Sequence, residues 1–219
     1  MPELEALLDV TSIVLLGRAY DARAFRPASA FQYGLLTVED AAKADLRLIA
    51  GDVTHYVVPD WLRVLIDRER AEFACLRASE EPRFRDFVVG MLREAKQSTT
   101  SAIGINRETH YKMPSREALD AVGHRLAPKD QWNPLMQNPG LLSLSMRGTI
   151  PGLGAEYVNT KIEPSATFHA QFGLYVNCNF HFKLTEDADS ARVAALVESN
   201  WRACLDSATA QAKRLAGVA

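Results

Sequence analysis

Residues 172–184 alternate between apolar and polar without a break, and no other feature of this chain constrains its fold as strongly. Phe172, Leu174, Val176, Cys178, Phe180, Phe182 and Leu184 fall on one side, with Gly173, Tyr175, Asn177, Asn179, His181 and Lys183 on the other. Successive side chains leave an extended backbone on opposite faces, so period two over this length specifies a strand with one buried and one open face. That is the pattern of an antiparallel sheet. A parallel strand, covered on both sides, reads as a continuous apolar run.

Shorter signals place the other elements. Strands are expected at residues 11–17, 46–50, 54–58, 62–66 and 71–75, the last two joined by a charged tip at 67–70. Others are expected at 101–113, 141–149 and 155–162. Residues 19–34 read as loop with a helical turn. Thr37 caps a short helix running to about Ala44, with acids in its first turn. Pro82 opens an amphipathic helix in which Phe84, Phe87, Val88, Met91, Leu92 and Ala95 recur at helical spacing. After a polar joint at 97–100 and the strand at 101–113, Ser115 caps a helix with Leu119, Val122 and Leu126 on its buried stripe. Pro128 ends that helix and opens a proline-rich loop to Gly140. A helix over 188–215 closes the chain, its stripe running through Val193, Leu196, Val197, Trp201, Cys204, Ala208, Ala212 and Leu215.

In order, these elements repeat. Strand, helical segment, a run of strands and a helix fill 11–96, and the same succession fills 101–215. The expected fold is α+β: a pseudo-duplicated strand-helix-three strands-helix unit forming a largely antiparallel sheet with helices packed on one face. No Gly/Ser or charged linker separates the halves, so residues 1–219 read as a single domain made of two similar halves, about 1–99 and 100–219.

Composition narrows the function classes. A net charge of -2 gives no global pull toward nucleic acid or anionic lipid. No run approaches the roughly 20 apolar residues of a membrane helix, and acids stand where a secretory signal carries basic residues, so no membrane contact is expected. Cys75, Cys178 and Cys204 are widely spaced in apolar patterns and read as reduced core thiols of a cytoplasmic protein.

Candidate chemistry lies on polar strand faces. Gly104, Asn106, Glu108, His110 and Lys112 share one face of the 101–113 strand, facing the same way as Tyr175, Asn177, Asn179, His181 and Lys183 if the two strands are neighbours. Glu108, His110 and His181 are then candidates for general acid–base catalysis, against the plainer reading of a solvated sheet face. His55, His110, His124, His169 and His181 form no H-x-H or H-x-x-x-H pair, and no C-x-x-C occurs, so no metal site is expected; His124 reads as a capping or packing residue. The glycines at 148, 152 and 154 read as a hairpin turn, since the P-loop Lys-Ser/Thr ending and following helix are missing. Nothing in the chain calls for a cofactor. Single-strand nucleic-acid binding would need aromatics beside Lys and Arg on an open sheet face; Tyr175 fits, Tyr157 could join it, and this reading is not favoured.

Four stretches carry a resemblance: T-S-I-V-L-L-G at 11–17, A-I-G-I-N-R at 102–107, G-H-R-L-A-P-K at 123–129 with Trp132 after it, and E-P-S at 163–165. They resemble a sporadically distributed family of uncharacterised bacterial proteins. The order of elements is also similar, with an Ile-Asn-Arg-like strand opening the second half and a long helix ending the chain. The resemblance implies a bacterial cytosolic protein in which an accessory or mobile-element (defence-type) role is possible, and it brings no catalytic residues.

The expected function is a non-enzymatic binding or assembly module acting through protein–protein contacts, with another protein or with itself. Candidate binding residues are Asn106, Arg107, Tyr175, Asn177, Asn179 and Trp201. The alternatives are an enzyme with an acid–base site between the halves, and a nucleic-acid-binding protein.

Overall fold

Two strands, β1 (Ala6–Arg18) and β6 (Thr99–Lys112), pair antiparallel in the middle of the fold, Ile13 opposite Ile105 and Ser12 opposite Asn106. The computed structural model describes residues 5–94, 99–168 and 172–217. Outside these fall the N-terminal residues 1–4, the expected helix position Ala95, part of the polar joint (Gln97 and Ser98) and His169.

The remaining strands are β2 (Asp45–Ile49), β3 (Thr54–Val58), β4 (Leu62–Ile66), β5 (Arg70–Cys75), β7 (Leu144–Gly148), β8 (Tyr157–Pro164) and β9 (Gly173–Asp189). All nine belong to one sheet in the order β2-β3-β4-β5-β1-β6-β9-β8-β7, and every pairing is antiparallel. The helices are α1 (Pro27–Gln32), α2 (Val38–Lys43), α3 (Glu81–Glu94), α4 (Arg116–Leu126) and α5 (Ser190–Ala216). Each half therefore sends out a central strand, passes through helix, returns by a meander whose last strand lies beside the central one, and ends in a long helix. The first half carries β2 in addition, a fully exposed edge strand with a bulge between Leu46 and Leu48.

The alternation in β9 does what its period requires. Leu174, Val176, Cys178, Phe180, Phe182 and Leu184 are buried, while Phe172 precedes the strand and is 41% exposed. Ile13 and Leu15 of β1, Phe73 of β5, and Ile103 and Ile105 of β6 join them in a core completed by α3 and α5. Phe84 of α3 meets Trp201 of α5 with ring centroids 5.6 Å apart, and Phe87 meets Phe73 at 6.4 Å. Each such large side chain contributes about 1.5–3 kcal/mol by leaving water. Gly90 of α3 packs closely on Leu35: a β-carbon there would stand 2.4 Å from a methyl of Leu35, which would have to shift.

The shorter helices are fixed by caps and charges. In α2 the Thr37 hydroxyl accepts from the Asp40 N–H while Asp40 reaches back to Thr37, a capping box. Asp40 also takes an ion pair from Arg83 of α3 and a 3.4 Å hydrogen bond from the Trp61 indole. Burial pushes the Asp40 carboxyl up, but the Thr37 hydrogen bonds and Arg83 outweigh it and hold the group below its ordinary value. Ser115 caps α4, as its sequence position predicts. Among the described residues no helix is long and apolar enough to cross a membrane.

Candidate functional site

The helices gather on one face of the sheet, so the polar half of each strand's alternation lines the other. The register lays these side chains out in rows. One runs Arg63, Ala74, Ser12, Asn106, Asn179, Asn159, Arg147 across β4, β5, β1, β6, β9, β8 and β7. The next runs Leu65, Glu72, Val14, Gly104, His181, Tyr157. On the far side of the asparagine row come Val10, Glu108, Asn177, Lys161 and then Leu8, His110, Tyr175, Glu163. The first half of this face is thus more apolar, and the second half is made of Asn, Tyr, His, Lys, Arg and Glu around Gly104.

Two clusters stand on the second half. In one, the rings of His181 and Tyr157 stack with centroids 4.4 Å apart and planes 9° from parallel. The Arg147 guanidinium lies 4.2 Å from the Tyr157 centroid and donates from Nε to Asn159 Oδ1 at 2.8 Å. Burial disfavours the charged imidazole and holds His181 below its ordinary pKa, although Glu156 lies 3.9 Å away.

In the other cluster, Tyr175 packs beside His110 at 4.8 Å and its hydroxyl accepts from Asn177 Nδ2 at 3.0 Å. Burial, with Glu108 adding to it, pushes the Tyr175 hydroxyl up to about 12. His110 Nδ1 shares a 2.7 Å hydrogen bond with Ser165 Oγ, which also accepts the Thr167 N–H. That second bond makes the Ser–His pair a brace for the turn after β8, and burial lowers the His110 pKa as well. Between the clusters Asn179 donates to Asn106 Oδ1. A β-carbon at Gly104 would approach the same Asn179 amide to 3.0 Å, so the glycine preserves this link.

The sheet brings together some expected residues and separates others. Asn106, Glu108, His110, Tyr175, Asn177, Asn179 and His181 all share the open face. His181, however, pairs with Gly104, four residues from Glu108 and six from His110, or roughly 13 and 20 Å along the strand. The three candidates for acid–base work do not converge, and the sheet runs unbroken through β1 and β6, where the two halves meet.

Two expected binding residues point elsewhere. Arg107 alternates onto the helix-covered face, where its Nε donates to Asp9 Oδ1 at 3.0 Å and its Nη1 lies 3.4 Å from Glu81 Oε1. Thr11 donates to the same Glu81 oxygen at 2.8 Å, so the cluster ties β1 and β6 to the start of α3. Trp201 is only 4% exposed and belongs to the core, because α5 spends its apolar stripe on the sheet and α3.

Arg147 and Asn159 escape sequence reasoning: β7 is a short, exposed edge strand whose alternation burial does not sharpen. Ser165 and His110 lie 55 positions apart and only strand pairing joins them. Among the described residues no group of three or more His, Cys, Asp or Glu is placed to hold a metal ion. The three free thiols are buried, and burial pushes Cys75 and Cys178 up to about 11 and Cys204 to about 12.

No protein-family model matches the chain, and no curated protein matches it.

Proposed function

We propose that this protein is a non-enzymatic binding module whose open sheet face receives a protein partner. The observation that carries the reading is Tyr157, a large amphipathic ring held on that face between His181 and Arg147. Tyrosine and arginine are enriched at the energetic centres of protein interfaces, and a ring already held in place loses little entropy on binding. The asparagines beside it supply adaptable donors and acceptors, a combination that recognition surfaces favour. Nine strands at roughly 4.8 Å spacing span about 40 Å, enough for the ~800 Å² each partner gives to a standard interface.

Charge favours protein over nucleic acid. Arg147, Lys161 and Lys183 are interleaved with Glu108, Glu156 and Glu163, and Lys161 is paired with Glu163 at 2.7 Å. A phosphate backbone requires an uninterrupted positive track, which such pairing removes.

The test is the native mass and absorbance ratio of a tagged copy purified gently from its host, alongside Tyr157→Ala. A complex of defined stoichiometry that the substitution dissolves, with the melting transition preserved, is the expected result. A bare 24.2 kDa monomer in both preparations, or a complex rich in nucleic acid, overturns the reading.

A further inference from the structure

Away from the open face, α4 and the coil that follows it enclose a cavity of about 650 Å³ against the ends of β8 and β9. This is within the size range of small-molecule sites. We infer that it binds an amphipathic acid, an aliphatic chain ending in a carboxylate.

Part of the cavity wall is apolar. Leu119 and Val122 of α4 and Leu174 of β9 line the cavity, and Leu142 and Phe172 line it while 85% and 41% exposed. Large apolar side chains left this open along a concave surface gain about 25 cal/mol for every Å² a ligand covers.

The charges at the cavity specify the other end of the ligand. Its two acids are already engaged, Asp120 with Arg116 at 3.6 Å and Glu163 with Lys161 at 2.7 Å. Lys129 and His124 also line the cavity, and neither has an ion-pair partner among the described residues. The uncompensated charge is therefore positive and sits beside apolar walls. A neutral hydrocarbon would leave Lys129 unanswered, and a small hydrophilic anion would leave Leu142 and Phe172 in water. An aliphatic carboxylate satisfies both.

The probes are dodecanoate, decanol and acetate, titrated calorimetrically into the full chain at pH 7. Dodecanoate should bind about tenfold or more tighter than either of the others, since hydrogen bonds to charged groups are the stronger kind. Lys129→Ala should reduce dodecanoate affinity to that of decanol, while Lys129→Arg retains it. Gly140 offers an independent check: it lines the cavity, and a β-carbon there meets no atom within 4 Å, so Gly140→Trp adds bulk without a backbone clash. That variant should melt normally and lose dodecanoate. Equal affinity for dodecanoate and decanol, or dodecanoate binding unchanged in both Lys129→Ala and Gly140→Trp, overturns the inference.

Discussion

His181 and Tyr157, on adjacent strands and directly paired in register, stack their rings 4.4 Å apart on the open side of the sheet. The stack is half-exposed, so its contribution to folding is modest. Tyr157→Ala should cost about 1 kcal/mol in chemical denaturation yet remove most partner binding, and Tyr157→Phe should preserve both. A loss of several kcal/mol would mean that the ring acts mainly as core.

Arg107 answers two carboxylates at once, and its side chain is only 13% exposed. Arg107→Met leaves Asp9 and Glu81 together without a cation, which should destabilise the fold by about 3 kcal/mol. Replacing Asp9 with Asn in the same background should recover part of that loss. Urea midpoints of the single and double variants measure both effects.

Trp201 fills the space between α5 and α3, so Trp201→Ala should cost about 3–5 kcal/mol by opening a cavity. Any loss of partner binding should track the unfolded fraction. Binding lost at full native content, by circular dichroism, would return this residue to the contact surface.

Burial holds both His110 and His181 below the ordinary imidazole value of 6.5. As pH falls through that value the unfolded chain takes up protons that the native state refuses. Stability is therefore fully present above about pH 7 and declines toward pH 5. A His110→Gln, His181→Gln double variant should show a flatter melting temperature over this window. An equally steep decline in the double variant would assign the effect to other groups.

All three cysteines are buried, with thiols pushed to about 11 or 12. A disulfide reagent at pH 8 should label none of them on the timescale of mixing, and all three once the chain is unfolded in urea. Rapid labelling of one thiol in the native protein would reveal local opening at its strand or helix.

Much of the architecture was legible because it rests on local signals. The period of β9, the Thr37 and Ser115 caps, Pro82 at the start of α3 and the charged tip between β4 and β5 each act within a few residues, and each element formed where its signal lies. Face assignment inside a strand was also legible, since buried and open positions alternate by geometry. Arg107 is the instructive exception. A charged residue among open-face candidates reads as surface, yet its odd position in the alternation of β6 already assigned it to the covered side, where Asp9, 98 residues away, neutralises it.

The sequence by itself determined the elements, their amphipathic faces and the antiparallel class of the sheet, because hydrogen bonding and burial impose fixed periods on any chain. Only the tertiary structure decided which faces were spent. Packing α3 and α5 on one side of the sheet consumed Trp201 and left Tyr157, His181 and Arg147 together on the open side. The pairing register also set His181 four positions from Glu108 and brought His110 to Ser165. Those outcomes depend on contacts between residues distant in sequence, whose energies appear only when the whole sheet closes.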